Sequence, residues 1–165
     1  MPTLLRTLDR WLGKFEYTLL ALLTGLLTLI LTAQVILRYF FNSPLFWAEE
    51  VAVQILISAT FIGVSYLIHT GRLVRVDFLI LLSQGALRHW GERALDVVGL
   101  LTLIVLCYFA TDWIMRPEVR ADLSPTTQLP RWYNYAVLVV AFYTMAFHML
   151  IRVIWPEGTV SEESA

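Results

Sequence analysis

The chain is 165 residues long with a formal net charge of -1; 58% of its residues are hydrophobic and only 15% are charged. A soluble domain carries about a quarter of its residues charged, and the mean hydropathy here is +0.68, so the composition places the chain in a lipid bilayer and excludes the strongly basic surface that a nucleic-acid partner requires. The single cysteine, Cys107, lies inside an apolar run, which excludes a disulfide framework or a thiolate metal cluster within one copy.

In chain order, Leu4, Leu5, Leu8, Trp11, Leu12 and Phe15 recur at helical spacing opposite Arg6, Arg10 and Lys14, a pattern that predicts an amphipathic entry helix lying in the interface. Residues 17–37 then run without a charge, over the roughly 20 residues that a helix needs to cross about 30 Å of hydrocarbon. The run exceeds the apolar core of a signal peptide and no A-x-A-like site follows it, so it is expected to stay attached as a first span. Ala21, Thr24, Gly25, Thr28 and Thr32 share one face of it and are small enough for close backbone approach by a neighbouring helix.

The stretch "RYFFNSPLFWAEE" (38–50) forms a turn into a second span over 51–68. Glu50, Gln54, Ser58 and Ser65 fall within an arc of about 80° when each residue turns about 100°, so this span has one polar face. In lipid that stripe must meet another helix or a water-filled cavity, because a carboxylate in hydrocarbon costs a few kcal/mol. The following segment, "VRVDFLILLSQGALRHW", is too short to cross and reads as a horizontal amphipathic helix within the loop 69–96. A third span is expected over about 95–113, framed by Asp96 and Asp112. The next connector carries Pro117, Pro125 and Pro130 and cannot be one continuous helix. A fourth span, 132–151, carries the line Asn134, Ala141, Thr144, His148 and Arg152, and residues 156–165 read as a disordered polar tail. The expected fold is thus an all-α integral membrane protein, a single four-helix domain over 1–155.

Of the 12 basic residues, Arg6, Arg10, Lys14, Arg72, Arg75, Arg88, Arg93 and Arg152 fall on one side of this arrangement, and Arg38, Arg116, Arg120 and Arg131 on the other. The bias puts both termini in the cytoplasm. Tyr39, Phe40, Phe41, Phe46 and Trp47, with Trp132, Tyr133 and Tyr135, form an aromatic belt at the outer boundary.

Candidate chemistry is sparse. Adjacent Glu49 and Glu50 point about 100° apart on a helix and do not converge on one substrate as acid and base. Glu49 is expected to meet water or headgroups and Glu50 to turn inward, with Arg38 as its nearest counter-ion, either bracing the first two helices or contacting another subunit. His69 and His148 stand at similar depth, a placement that permits two axial haem ligands without indicating them. Neither a phosphate-binding glycine loop nor a nucleophile or metal motif occurs in the sequence, so no catalytic, cofactor or metal site is expected.

"LRYFFNSPLFWAEEVAVQILISATFIGVSYLIHTGRLVRVDFL" resembles the signature of the small membrane (Q) subunit of tripartite ATP-independent periplasmic (TRAP) transporters. Arg38, Pro44, Trp47, Glu49, Glu50, Phe61, Gly63, Gly71, Arg72, Arg75, Val76 and Asp77 match in order and spacing, while Leu73 stands where the family has His. The resemblance implies a bacterial inner-membrane subunit without catalytic activity. It would scaffold a large membrane subunit that holds the sodium and substrate sites, alongside a periplasmic protein that captures an organic acid. It also implies that Arg38, Trp47, Glu49, Glu50, Gln54 and Ser58 form a brace or partner interface, and that Gly71, Arg72, Arg75 and Asp77 belong to the family's cytoplasmic segment. Two other readings stay open on the residues alone: a haem-bearing anchor of a respiratory enzyme, and a self-sufficient small transporter.

Overall fold

The computed structural model of the chain describes residues 2–73 and 86–154. Four of its helices are long and apolar enough to cross a membrane, and no strand is present among the described residues. α1 (Pro2–Phe40), α2 (Ala48–His69), α3 (Ala86–Ile114) and α5 (Trp132–Ile154) contain the four expected spans, and α4 (Pro117–Ala121) is a short turn of helix in the proline-rich connector. The principal contacts run α1 to α2, α2 to α5 and α5 to α3. The helices therefore stand in a row, with α1 and α3 at its edges and the core between α2 and α5, where Ile68, Ala141, Met145 and Met149 cluster.

α1 corrects one expectation. The amphipathic entry segment is no separate interfacial helix but the first part of one unbroken helix of 39 residues, about 58 Å at 1.5 Å per residue against about 30 Å of hydrocarbon. Its inward row is Asp9, Gly13, Glu16, Leu20, Leu23, Leu27, Ile30, Gln34 and Leu37, each at least half-buried. Alternating steps of four and three residues make a 3.5-residue repeat, the pattern of a seam against a neighbouring helix. Leu4, Leu8, Trp11 and Phe15 face outward instead. The small-residue face of Ala21, Thr24, Gly25, Thr28 and Thr32 is likewise exposed, so it is not what meets the polar stripe of α2.

Both hairpin ends of α1 and α2 have clear stops. Asn42 takes φ 49° after α1, a left-handed conformation that Asn tolerates better than most residues, and Ser43 N–H donates to the Leu37 carbonyl at 3.1 Å. After α2, Gly71 sits at φ 67° while its N–H donates to Ile68 O at 3.2 Å and that of Arg72 to Leu67 O at 3.1 Å, a Schellman stop. The expected horizontal helix lies mostly outside the described residues, and its end from Ala86 is continuous with α3. The expected tail over 156–165 also lies outside them.

Between α3 and α5 the connector is ordered as a compact loop. Leu123 bridges Pro130, Ser124 N–H donates to Leu129 O at 2.9 Å, and Arg131 N–H donates to Asp122 O at 2.9 Å. α3 passes close to α5 at Gly99, where a Cβ would meet the flexible end of the Met149 side chain, Cε, at 2.8 Å.

Candidate functional site

At the end of the row away from the N-terminus, the turn between α1 and α2 holds its two glutamates apart. Glu49 accepts from Gln34 Nε2 at 2.9 Å and lies 3.7 Å from Arg38, with the Arg38 and Glu49 side chains both more than half exposed. Glu50 turns inward as expected, but toward the connector: Ser124 Oγ donates to its Oε1, and Thr126 N–H donates to its Oε2 at 3.1 Å. The counter-ion of Arg38 is therefore Glu49 and not Glu50, because Arg38 and Glu49 share the outer side of the hairpin while Glu50 lies one residue, about 100°, around the helix. Trp47 precedes α2 without a side-chain cap and remains 45% exposed. Two carboxylates with separate partners make no acid/base pair.

The polar stripe continues from there into the core against α5. Gln54 donates to Ser124 Oγ at 3.2 Å, and Ser58 donates to Asn134 Oδ1 at 3.3 Å. Ser65, fully buried, donates to Glu16 Oε1 at 2.6 Å and lies 2.9 Å from Thr144 Oγ1. The predicted stripes of the second and fourth spans meet at Ser58–Asn134 and Ser65–Thr144, while Glu50 and Gln54 find Ser124 of the connector and Ser65 also Glu16 of α1, so that polar groups in a low-dielectric interior are partnered.

Farther along, α1, α2 and α5 bring together a cluster that sequence reasoning did not assemble. Asp9 Oδ1 lies 2.5 Å from His148 Nδ1 and Asp9 Oδ2 lies 3.0 Å from His69 Nδ1. His148 Nε2 faces Glu16 Oε2 at 3.4 Å. The His148 and Glu16 side chains are 0% and 5% exposed, and those of His69 and Asp9 18% and 17%. The ring centroids of His69 and His148 are 4.9 Å apart, and both rings turn Nδ1 to one carboxylate instead of flanking a planar slot. Gly13 makes room for this packing, since any Cβ there would run into the His69 ring.

Of the motif segment, Gly71 ends α2, Arg72 is exposed and Leu73 packs on the core between α2 and α5. An apolar contact thus occupies the position where the resemblance puts His. Arg75 and Asp77 lie outside the described residues.

Residues 27–155 match the family described as the DctQ component of tripartite ATP-independent periplasmic transporters. The chain is 28% identical to the ectoine TRAP transporter small permease protein TeaB of Halomonas elongata, over 93% of this chain and 80% of that one. It is 30% identical to the C4-dicarboxylate TRAP transporter small permease protein DctQ of Vibrio cholerae, over 86% and 70%. It is also 28% identical to part of the sialic acid TRAP transporter permease protein SiaT of Haemophilus influenzae, over 62% of this chain but only 15% of that much longer one.

Proposed function

Because the chain belongs to the DctQ-component family of TRAP transporter small permeases, we propose that it is a non-catalytic scaffold for a large membrane transport subunit. The carrying observation is the outward face of α1. Thr24, Gly25, Thr28, Thr32 and Ile36 line a shallow groove there, and a Cβ placed on Gly25 would meet nothing within 4 Å. Small residues on a lipid-depth face admit a second helix at close backbone distance. The occupant is a large permease: in the sialic acid relative, a stretch similar to part of this chain lies within one much longer permease protein, of which it makes up 15%.

The relatives are named for ectoine, C4-dicarboxylate and sialic acid, three different cargoes on one small-subunit pattern. That supports a division of labour in which cargo choice and sodium coupling reside in the large subunit and in a periplasmic binding protein that delivers an organic acid. In this reading the chain sits in the bacterial inner membrane with both termini in the cytoplasm, binds no haem, and braces its periplasmic corner through Arg38, Glu49 and Glu50. The test is reconstitution. Proteoliposomes holding this chain with its large partner and loaded binding protein should take up substrate down a sodium gradient, and those holding this chain alone should not. Sodium-driven uptake by the lone chain would overturn the proposal.

A further inference from the structure

We propose that Asp9, His69 and His148 form a zinc(II) site that ties the start of α1 to α2 and α5. The donor atoms, one per residue, all lie within 4.8 Å of one another. Bonds of about 2.0–2.1 Å in tetrahedral geometry place ligand atoms about 3.4 Å apart. Asp9 Oδ2 lies 3.0 Å from His69 Nδ1 and Asp9 Oδ1 2.5 Å from His148 Nδ1, so the donors need to spread by no more than about 1 Å to reach that spacing.

Three features favour a metal over a plain interhelical contact. First, both histidines offer the same ring nitrogen to one carboxylate. His69 Nδ1, although close to Asp9, makes no hydrogen bond there, and neither do His148 Nε2 and Glu16 Oε2 in their buried positions. Second, the far nitrogen of His148 faces Glu16 at 3.4 Å, and Glu16 is itself held by Ser65 at 2.6 Å. A metal-bound imidazole commonly donates its other N–H to a carboxylate, which fixes the ring and raises its basicity, and Glu16 stands within a few tenths of an ångström (about 0.4 Å) of closing that bond. Third, once a metal takes the place of the ring protons, one divalent cation neutralises both carboxylates that Asp9 and Glu16 bring into this mostly desolvated space. A set of two nitrogens and one oxygen suits zinc, and the partial exposure of His69 and Asp9 leaves an entry path and a fourth position for water. Only the similar depth of His69 and His148 was legible in the sequence; Asp9 was not, because the ligands come from three helices and Asp9 and His148 are separated by 139 positions.

The test uses the full chain purified in detergent with a tag free of histidine, stripped with EDTA and dialysed against zinc chloride, with bound metal measured by elemental mass spectrometry. A single zinc per chain is expected, together with the visible absorption of tetrahedral cobalt(II) when cobalt replaces it. Asp9→Asn and His69→Ala should abolish stoichiometric binding, Glu16→Gln should weaken it by about 10- to 100-fold, and His89→Ala should leave it intact. Far-UV circular dichroism verifies that each variant folds. Should the buried-cluster variants fail to fold, the wild-type stoichiometry and cobalt spectrum decide alone. Substoichiometric zinc in the wild-type chain, or equal zinc in folded Asp9→Asn, overturns the site.

Discussion

Glu49 and Glu50 are neighbours in sequence with different surroundings, and the difference sets what each is worth. Glu50 receives Ser124 Oγ and the Thr126 N–H, and Ser124 is fully buried. Truncating Glu50 takes the acceptor from the buried Ser124 hydroxyl, at about 1–3 kcal/mol, while the exposed Thr126 N–H turns to water. Arg38 and Glu49 form a pair that is more than half exposed, and pairs of that kind contribute about 0–1 kcal/mol. Glu50→Ala should therefore lower the melting temperature of the purified chain clearly more than Arg38→Ala does. Equal losses would mean that the inner bracket carries no weight. That Glu50 turns inward was legible from its place on the stripe with Gln54, Ser58 and Ser65. Its partner was not, because Ser124 lies 74 positions away in a connector whose path no periodicity encodes.

Along α1, two glycines on one helix have opposite neighbours. Gly13 is buried against the His69 ring, where a Cβ has no room, whereas Gly25 faces open space. In the purified chain Gly13→Ala should destabilise the α1–α2 contact, while Gly25→Ala should be neutral or stabilise by about 0.5–1 kcal/mol, as removal of an unneeded helix glycine does. A thermal shift of the same sign in both variants would contradict that assignment of faces. At the end of α2, Gly71→Ala should cost about 1–2 kcal/mol, because its left-handed φ of 67° penalises a side chain. The four spans were legible because long uncharged apolar runs leave few other solutions in lipid. The inward row of α1 was not. Its polar members Asp9, Glu16 and Gln34 look like solvated or interfacial residues until the histidines, Ser65 and Glu49 opposite them are known.

At the scale of the whole molecule, the row of helices leaves α1 at an edge with its small-residue face outward, and the arginine bias gives that row a direction in the membrane. In a Cys107→Ala background, Thr126→Cys should react with an impermeant thiol reagent on intact spheroplasts and Arg72→Cys should not; the reverse labelling would invert the topology. The central claim is that the chain works by binding a larger permease through α1. It is tested most directly by co-purifying a tagged large subunit with the wild-type chain and with Gly25→Leu/Thr28→Leu, a variant that alters only the outward groove. The wild-type chain should co-elute in stoichiometric amount, and the variant should be expressed and folded yet largely lost from the complex. Undiminished co-elution of the folded variant would contradict the account.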